Sequence, residues 1–339
     1  MSWPPSAESW VLIGFHVFIL AVLGLDLGVF QRRLHAVTMK EAAAWSAVWI
    51  GLALAFAGGI WTCWHLWEPG DPGAGPDKAV AFLTGYLIEK ALSVDNLFVF
   101  LVVFRYFGVP PHYQHKVLFW GILGALVLRA TLILAGAALL AVFHWMTYVF
   151  GVFLIYTGYK LSKPLKEEMN PGRNPLLRLA RRFLPVVDTY DSHHFWVRRQ
   201  GRWHATPLLL VLLVIESMDV LFAVDSIPAV FGVTRDTFIV YTSNVFAVLG
   251  LRSLYFLLAN FLGMFRYLNV GLAAVLAFVG IKMLVEDPLK PYLAAHGIGE
   301  RQLVLFSLGA VAAILAVAVL ASVLRGPKEP VDHPPAGAA

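Results

Sequence analysis

Acidic residues interrupt an apolar segment in the octad Glu89-Lys-Ala-Leu-Ser-Val-Asp95-Asn96, and the pattern returns in Asp219-Val-Leu-Phe-Ala-Val-Asp225-Ser226. Each octad consists of an acid, four further residues, a valine, an aspartate and a small polar side chain. A carboxylate in apolar surroundings is costly unless it meets a partner, a bound ion or a cavity. Two apolar helices with such acids therefore predict a polar site inside the protein.

The composition around these octads excludes several protein classes. Charged residues make up 14% of the 339 residues, against about 25% in soluble domains, and hydrophobic residues make up 59%. A soluble fold of this length would leave large apolar patches in water, so both a water-soluble enzyme and a disordered chain are excluded. The single cysteine, Cys63, excludes a disulfide scaffold.

Runs of about 20 mostly apolar residues predict an all-α polytopic membrane protein. Residues 1–326 are expected to form one transmembrane domain, and the Pro-, Gly- and Ala-rich residues 327–339 a disordered tail. The nine predicted spans are residues 10–30, 42–63, 79–104, 117–141, 147–161, 207–231, 238–260, 268–286 and 302–324.

The distribution of lysine and arginine predicts the orientation. With the N-terminus outside, the inner segments contain 17 basic residues and the outer segments 4, which puts the C-terminus in the cytosol. The hydrophilic segment 162–206 has nine basic and four acidic residues, and its net charge of +5 equals that of the whole chain. We expect it to be a cytosolic loop that contacts anionic lipid headgroups, so the basic balance does not indicate a nucleic-acid partner. No pattern specifies an oligomeric state.

Further landmarks show that the octads belong to an internal repeat. Leu128-Arg129 corresponds to Leu251-Arg252, and Gly158-Tyr-Lys160 corresponds to Gly280-Ile-Lys282. Repeat one covers 79–161 and repeat two covers 207–286, with 302–324 as a final helix. Each copy has three helices, so the second enters from the opposite side, giving a 3+3 inverted-topology repeat. Many secondary transporters are built in this way, with the site near the midplane, although a duplication without a transport role gives the same pattern.

Six carboxylates lie inside predicted spans, and each costs roughly 2.5–3.5 kcal/mol at a helix centre. They are Asp26, Glu89, Asp95, Glu216, Asp219 and Asp225. Lys90, Arg129 and Arg252 are the basic residues that cannot reach a helix end, and we expect them to compensate part of this charge. An ionised interior would still be net negative and would attract a cation. The alternative is a set of structural ion pairs, such as Glu89 with Arg252 or Asp219 with Arg129.

The predicted ligands are hard oxygen donors, which suit Mn²⁺, Ca²⁺ or Mg²⁺ better than zinc or copper. We expect Asp95, Asn96, Asp219 and Asp225 to bind the cation directly, with Glu89, Glu216 and Asp26 along its path. On a regular helix Asp95 and Asp225 point about 100° away from Asn96 and Ser226, so shared binding requires a loosened helix. Pro228 predicts such a helix break, because it cannot donate to the carbonyl of Val224. No organic cofactor is expected.

At these residues the sequence resembles the TerC family of integral membrane proteins, and most closely its Alx-like members. The resemblance rests on Gly85 to Phe100, Phe119 to Ala125, Phe222 to Val230 and Tyr241 to Tyr255, and Asp26 with Gly28-Val-Phe30 fits the family's first helix. It implies a bacterial inner-membrane protein linked to Mn²⁺ export and to alkaline or tellurite stress.

Two functions are therefore weighed. The first is export of a divalent cation, most simply Mn²⁺, by alternating access between the repeats, with protons as a candidate counter-ion. The second is a non-transporting membrane partner in membrane-protein assembly or in tellurite and alkaline resistance. An intramembrane aspartic protease is disfavoured, because the two acidic octads are alike whereas a protease needs distinct acid and base environments. An enzyme is not expected.

Overall fold

The computed structural model describes residues 13–22, 24, 38–67, 73–162, 172, 174–187, 190, 194–199, 201–258, 267–296 and 299–325, the side chains of 67, 95, 98, 258, 290, 294, 300 and 301 excepted. The protein is an all-α membrane protein with one small β-hairpin. Its elements are α1 (Ile13–Val22), α2 (Met39–Trp67), α3 (Gly75–Tyr106), α4 (Pro111–Val142), α5 (Met146–Ser162), α6 (Pro175–Phe183), β1 (Trp196–Arg199), β2 (Arg202–Ala205), α7 (Pro207–Phe231), α8 (Thr237–Leu249), α9 (Leu251–Leu258), α10 (Leu268–Ala295) and α11 (Glu300–Arg325).

Six helical segments in the described part of the chain are long and apolar enough to cross a membrane. They are Met39–Leu66, Pro111–Val142, Pro207–Phe231, Thr237–Leu257, Leu268–Leu289 and Gln302–Arg325. The predicted spans 79–104 and 147–161 coincide with α3 and α5, which are not among the six. Charged residues in the middle of α3 set it apart, and α5, at 17 residues, is shorter than the roughly 20 that cross a bilayer upright. The predicted first span, 10–30, is described only as α1 and Gly24.

Helix α3 lies at the centre of the bundle, where it packs against α2, α7, α8 and α11. Helix α4 packs against both α7 and α8, and α5 packs along α10. Glycines bring α5 and α10 together: a Cβ on Gly280 would lie 2.6 Å from the Gly151 carbonyl oxygen, and one on Gly158 would lie 2.7 Å from that of Ala273. Backbone contact at small residues, rather than interlocking side chains, therefore joins this pair of helices.

The predicted break at Pro228 is not present, because α7 stays helical through it to Phe231. Proline removes one hydrogen bond, and four residues from the end of a helix this loss does not unwind the segment. The interruption lies instead in the predicted span 238–260, at Gly250 between α8 and α9. There Lys90 donates its Nζ to the Ala247 carbonyl at 3.2 Å, in the last turn of α8, where carbonyls lack helical partners. A Cβ on Gly250 would lie 2.5 Å from this Nζ, so glycine makes room for the lysine.

Contacts between loops and helix ends form two groups, one at each end of the bundle. The first joins segments that were predicted to lie outside the membrane: Lys78 pairs with Asp236, and Arg235 Nη2 lies 3.3 Å from Asp287 Oδ2. The second joins segments predicted to lie inside: Tyr190 donates to the Phe107 carbonyl at 2.7 Å and Tyr113 to the Tyr190 carbonyl at 3.3 Å. Tyr255, near the inner end of the predicted span 238–260, donates to Gln114 Oε1 of the same group at 3.2 Å. Burial raises the pKa of the Tyr190 phenol, so it remains a neutral donor.

The segment 162–206, predicted to be a loop, contains folded elements. Asn174 caps α6 by accepting from the backbone N–H groups of Leu176 and Leu177 at 2.9 and 3.2 Å. Strands β1 and β2 pair antiparallel around the turn at Gly201, whose φ of 76° favours glycine. The hairpin is fastened by hydrogen bonds between its end at Ala205 and the backbone of 185–187. The predicted tail, 327–339, lies outside the described residues.

Candidate functional site

Arg129 of α4 is the hub of the polar interior, and only 1% of it is exposed. Its Nη2 donates to Asp219 Oδ1 at 2.9 Å and its Nε to Asp219 Oδ2 at 3.1 Å, a bidentate pairing with α7. Its Nη1 is bonded to Glu89 Oε1 of α3 and lies 3.3 Å from Asn244 Oδ1 of α8. One guanidinium therefore joins four helices and offsets part of the charge of the leading acids of both octads.

This arrangement bears on the roles predicted for the acids. Asp219 was predicted to bind the cation directly, but both of its oxygens accept from Arg129. The ion pair of Asp219 with Arg129 is the one that the structural alternative predicted. Glu89, which that alternative paired with Arg252, is also bound to Arg129. The two octads thus share one arginine, since Glu89 lies on α3 and Asp219 on α7.

A cavity of about 80 Å³ lies beside Arg129, which is room for several water molecules or a partly hydrated ion. It is lined by Glu89, Leu92, Asn96, Arg129, Thr157, Leu161, Phe222, Asp225, Ser226 and Leu276, from helices α3, α4, α5, α7 and α10. Its polar lining consists of carboxylate, amide and hydroxyl groups besides the guanidinium of Arg129. None of these ten described residues is His or Cys. The polar groups are therefore mostly oxygen donors, which hard cations prefer.

Several polar atoms at or near the cavity lack a hydrogen-bond partner among the described residues. Glu89 Oε2 and Ser226 Oγ are buried and unpaired, and so is Ser93 Oγ one turn along α3 from Glu89. A buried oxygen without a partner loses its hydration free energy, of order 1–3 kcal/mol, and normally meets a water or an ion. These atoms therefore indicate that the cavity is a place for a polar guest.

Asp225 and Asn96 also line the cavity. Asp225 accepts a hydrogen bond from Thr157 Oγ1 of α5 at 3.3 Å. Asn96 is 2% exposed and directly follows Asp95 in the sequence. Thus Asn96 and Asp225, both predicted ligands, face the same space as Glu89 and Ser226.

Glu216 lies outside this cavity, one turn before Asp219. Its carboxylate fits against Gly124 of α4, where any Cβ would collide with it, and its Oε2 has no partner among the described residues. Lys90, expected to compensate charge, donates to the Ala247 carbonyl as described above, and Arg252 is 6% exposed at the start of α9.

Of the predicted direct ligands, Asn96 and Asp225 thus line the same cavity, whereas Asp219 does not. Within the described ranges, no three Asp, Glu, His or Cys side chains lie close enough together to hold a metal ion. Asp95 lies on α3 and its side chain is not described, and Asp26 lies outside the described residues. The roles proposed for these two acids stay predictions.

Sequence reasoning missed two polar contributors. Thr157 is an ordinary residue of a short predicted span, and nothing in its neighbourhood marked it as a partner of Asp225. Asn244 was quoted only as part of a family string, yet it accepts from Arg129. Hydrogen-bonding side chains inside a span were the available signal, but they are common in membrane helices, so the signal is weak.

Comparisons with known proteins agree with the resemblance. The family model described as "Integral membrane protein TerC family" matches residues 74–329. The "Uncharacterized membrane protein STKORF319" of Myxococcus xanthus is 49% identical over 329 residues, 97% of each chain. The "Putative membrane-bound redox modulator Alx" of Escherichia coli is 50% identical over 275 residues, 81% of this chain and 85% of that one. The "Thylakoid membrane protein TERC, chloroplastic" of Arabidopsis thaliana is 43% identical over 298 residues, 88% of this chain and 72% of that one. No solved structure matches the chain.

Proposed function

The chain belongs to the TerC family of integral membrane proteins, and from this premise we propose that it exports a divalent cation, most simply Mn²⁺, from the cytosol. It acts as a transporter rather than as an enzyme. The observation that carries the proposal is the cavity beside Arg129, with the unpaired oxygens Glu89 Oε2 and Ser226 Oγ at its wall.

The chemistry of the cavity favours a hard cation that keeps part of its water shell. Glu89, Asn96, Asp225 and Ser226 offer carboxylate, amide and hydroxyl oxygens. Mn²⁺ and Mg²⁺ accept such donors together with retained waters, whereas Ca²⁺ takes more ligands. With few protein ligands gathered, the site would bind weakly, as suits an ion that must also leave.

The architecture of the proposal is nine spans with an inverted repeat of three helices. The packing between the two copies supports it, because it is reciprocal. The first helix of repeat one, α3, packs on the second helix of repeat two, α8, and the second helix of repeat one, α4, packs on the first helix of repeat two, α7. The glycine contacts support it as well. Gly158 and Gly280 are equivalent in the repeat, and so are Gly151 and Ala273, which lie seven positions before them. Gly158 contacts the carbonyl of Ala273, and Gly280 contacts the carbonyl of Gly151.

The orientation that we propose has the N-terminus outside, the C-terminus in the cytosol and the chain in the bacterial inner membrane. The charge bias of 17 to 4 supports this orientation. The sorting of loop contacts into two groups fits the same arrangement, since the segments that touch at each end share a predicted side.

The test is Mn²⁺ flux into proteoliposomes that contain the purified chain. We expect the Asp225→Asn variant to carry about tenfold less Mn²⁺ or worse, because an amide binds a divalent cation far less well than a carboxylate. Glu41→Gln is the matched control. It removes one charge in the same way, but at the exposed start of α2, where a glutamine preserves the capping interaction with Thr38.

Equal flux through Asp225→Asn and the unaltered chain would remove the cavity from the pathway. Competition by Mg²⁺ and Ca²⁺ in the same assay ranks the candidate ions. Mn²⁺ flux driven by a pH gradient, with equal Mn²⁺ on both sides, reports proton coupling.

A second function, a non-transporting partner of other membrane proteins, is favoured by the Arg129 cluster. Because this arginine pairs with Glu89 and Asp219, the charges of the described interior are partly compensated without any ion. An absence of divalent flux under every gradient would support this function over export. A redox role of the kind that the name of the Escherichia coli relative suggests would need a partner's thiol or a cofactor for disulfide chemistry, since the chain has only Cys63.

A further inference from the structure

Helix α6 has an apolar face that the protein covers only in part. Leu177 and Ala180 are buried and pack with residues of α7. Leu176, Leu179 and Phe183 lie next to them on the same side of the helix but are 36%, 53% and 70% exposed. The apolar side of α6 is thus wider than the part of it that α7 covers.

The opposite side of α6 is basic. At 100° per residue, Arg178, Arg181 and Arg182 fall together on the arc facing away from Leu176 and Phe183, and all three are exposed. A short helix with a partly free apolar face and a cluster of arginines has the composition of an interfacial helix.

The neighbouring hairpin adds exposed tryptophans to this surface. The register pairs Trp196 with Ala205 and Arg198 with Trp203, which puts the side chains of Trp196, Arg198 and Trp203 on one face of the two strands. The two tryptophans are 43% and 62% exposed. Tryptophan and arginine together are typical of the boundary between lipid and water.

The position of α6 along α7 places it in one leaflet, next to that boundary. Asn174 Nδ2, at the start of α6, donates to Ser217 Oγ at 2.7 Å, about 15 Å beyond the first residue of α7 and so inside the leaflet. The chain after α6 returns to the start of α7, where Val187 donates to the Ala205 carbonyl at 3.0 Å. The helix therefore runs along the first turns of a membrane-spanning helix, from inside the leaflet towards its surface, instead of projecting away from it.

We propose that α6 and the β1–β2 hairpin form an interfacial surface that binds the anionic headgroups of the cytosolic leaflet. Leu176, Leu179 and Phe183 enter the edge of the acyl region, and the arginines of α6 bind lipid phosphates. Phosphate oxygens match the planar guanidinium fork, and exposed apolar side chains on a helix at this depth are covered by lipid. This inference does not depend on cation export.

A bilayer fits the surface better than a soluble protein for two reasons. First, a bilayer has an apolar interior directly beside anionic headgroups, and α6 has an apolar side directly beside a basic side. Second, the bilayer is already in place around α7, so contact requires no encounter with a second molecule.

The experiment uses the full chain in nanodiscs of either neutral phosphatidylcholine or phosphatidylcholine with 30% phosphatidylglycerol. A Cys63→Ser, Phe183→Cys variant carries an environment-sensitive fluorophore, since Cys63 is the only native cysteine. We expect the probe to be quenched by lipids with a nitroxide just below the headgroup and to be shielded from aqueous iodide. Phosphatidylglycerol should increase both effects. Substitution of Arg178, Arg181 and Arg182 by glutamine should reduce the preference for the anionic lipid by about tenfold or more.

The same three positions changed to lysine keep the charge and serve as the matched control, so they should keep most of the preference. Thermal unfolding of each variant separates lost lipid contact from lost folding. A probe at 183 that iodide quenches fully in both lipids would overturn the proposal, and so would an anionic preference that survives in the folded glutamine variant.

Discussion

At the scale of single residues, Arg129 controls the charge balance of the interior. It is the largest side chain among the fully buried residues described, and it holds an acid from each repeat. Without a bound cation, its charge offsets part of the charge of Glu89 and Asp219. A cation that enters the cavity competes with Arg129 for Glu89, which both can reach. Under the proposed export, Arg129 therefore serves as a tethered cation that stabilises the protein without a bound ion.

This role predicts a split between two kinds of transport in the Arg129→Gln variant. Net efflux requires the empty protein to reorient, and that state would now contain two uncompensated acids, so net efflux should fall at least about tenfold. Exchange of labelled for unlabelled Mn²⁺ never passes through the empty state and should be largely retained. Flux of ⁵⁴Mn²⁺ from proteoliposomes with and without external Mn²⁺ measures both.

The variant must also fold, because removing one partner of a buried ion pair costs about 3–5 kcal/mol. The double variant Arg129→Gln, Asp219→Asn restores part of the charge balance and should recover melting temperature. A parallel loss of exchange and net efflux in a folded variant would show that Arg129 has only a structural role.

At the scale of helices, the crossing of α5 and α10 depends on glycine. A Cβ at 280 meets backbone on two sides, the Gly151 carbonyl oxygen at 2.6 Å and the Ile155 nitrogen at 3.1 Å. Backbone cannot turn aside as a side chain can, so the helices would have to separate. The sequence named Gly158 and Gly280 as landmarks of the repeat, and the structure shows the packing reason for both.

The expected effect of Gly280→Ala is a loss of stability of about 1–3 kcal/mol, the usual cost of overpacking a close contact. Gly59→Ala is the matched control, because Gly59 is helical and a Cβ there would meet no atom within 4 Å. The control should be neutral or more stable by up to about 1 kcal/mol, since alanine favours helix over glycine. Melting temperatures in one detergent compare the two, and equal destabilisation by both would contradict the packing argument.

At the scale of the whole molecule, ion pairs join the helix ends on the proposed outer side. Lys78 at the start of α3 pairs with Asp236 at the start of α8, and Arg235 reaches Asp287 of α10. The first pair connects α3 with α8 across the end of the bundle, where an outward opening would have to form, and the second connects the segment before α8 with α10. We therefore expect them to favour the outward-closed state.

The prediction is that Lys78→Gln makes the cavity more accessible from outside. Partly exposed pairs contribute about 0–1 kcal/mol, so the open population should rise by up to about fivefold. A Cys63→Ser, Ser226→Cys background places one thiol at the cavity wall, and its reaction with a membrane-impermeant maleimide in right-side-out vesicles gives the accessibility. High salt should mimic the substitution in the unaltered background by screening the pair, and an unchanged rate under both conditions would exclude this pair as part of a gate.

The sequence by itself determined the all-α membrane class and the family, because apolar runs and acidic octads are local features of the chain. It also marked Glu89, Asn96, Asp225 and Arg129 as site residues, since polar groups in apolar runs have few structural explanations. Tertiary structure alone decided that Asp219 pairs with Arg129, that Thr157 reaches Asp225, and that the helical interruption lies at Gly250 instead of at Pro228. These outcomes depend on which helices approach each other and at what depth. Distances between separate helices are set by packing of the whole bundle, and the local pattern of residues does not contain them.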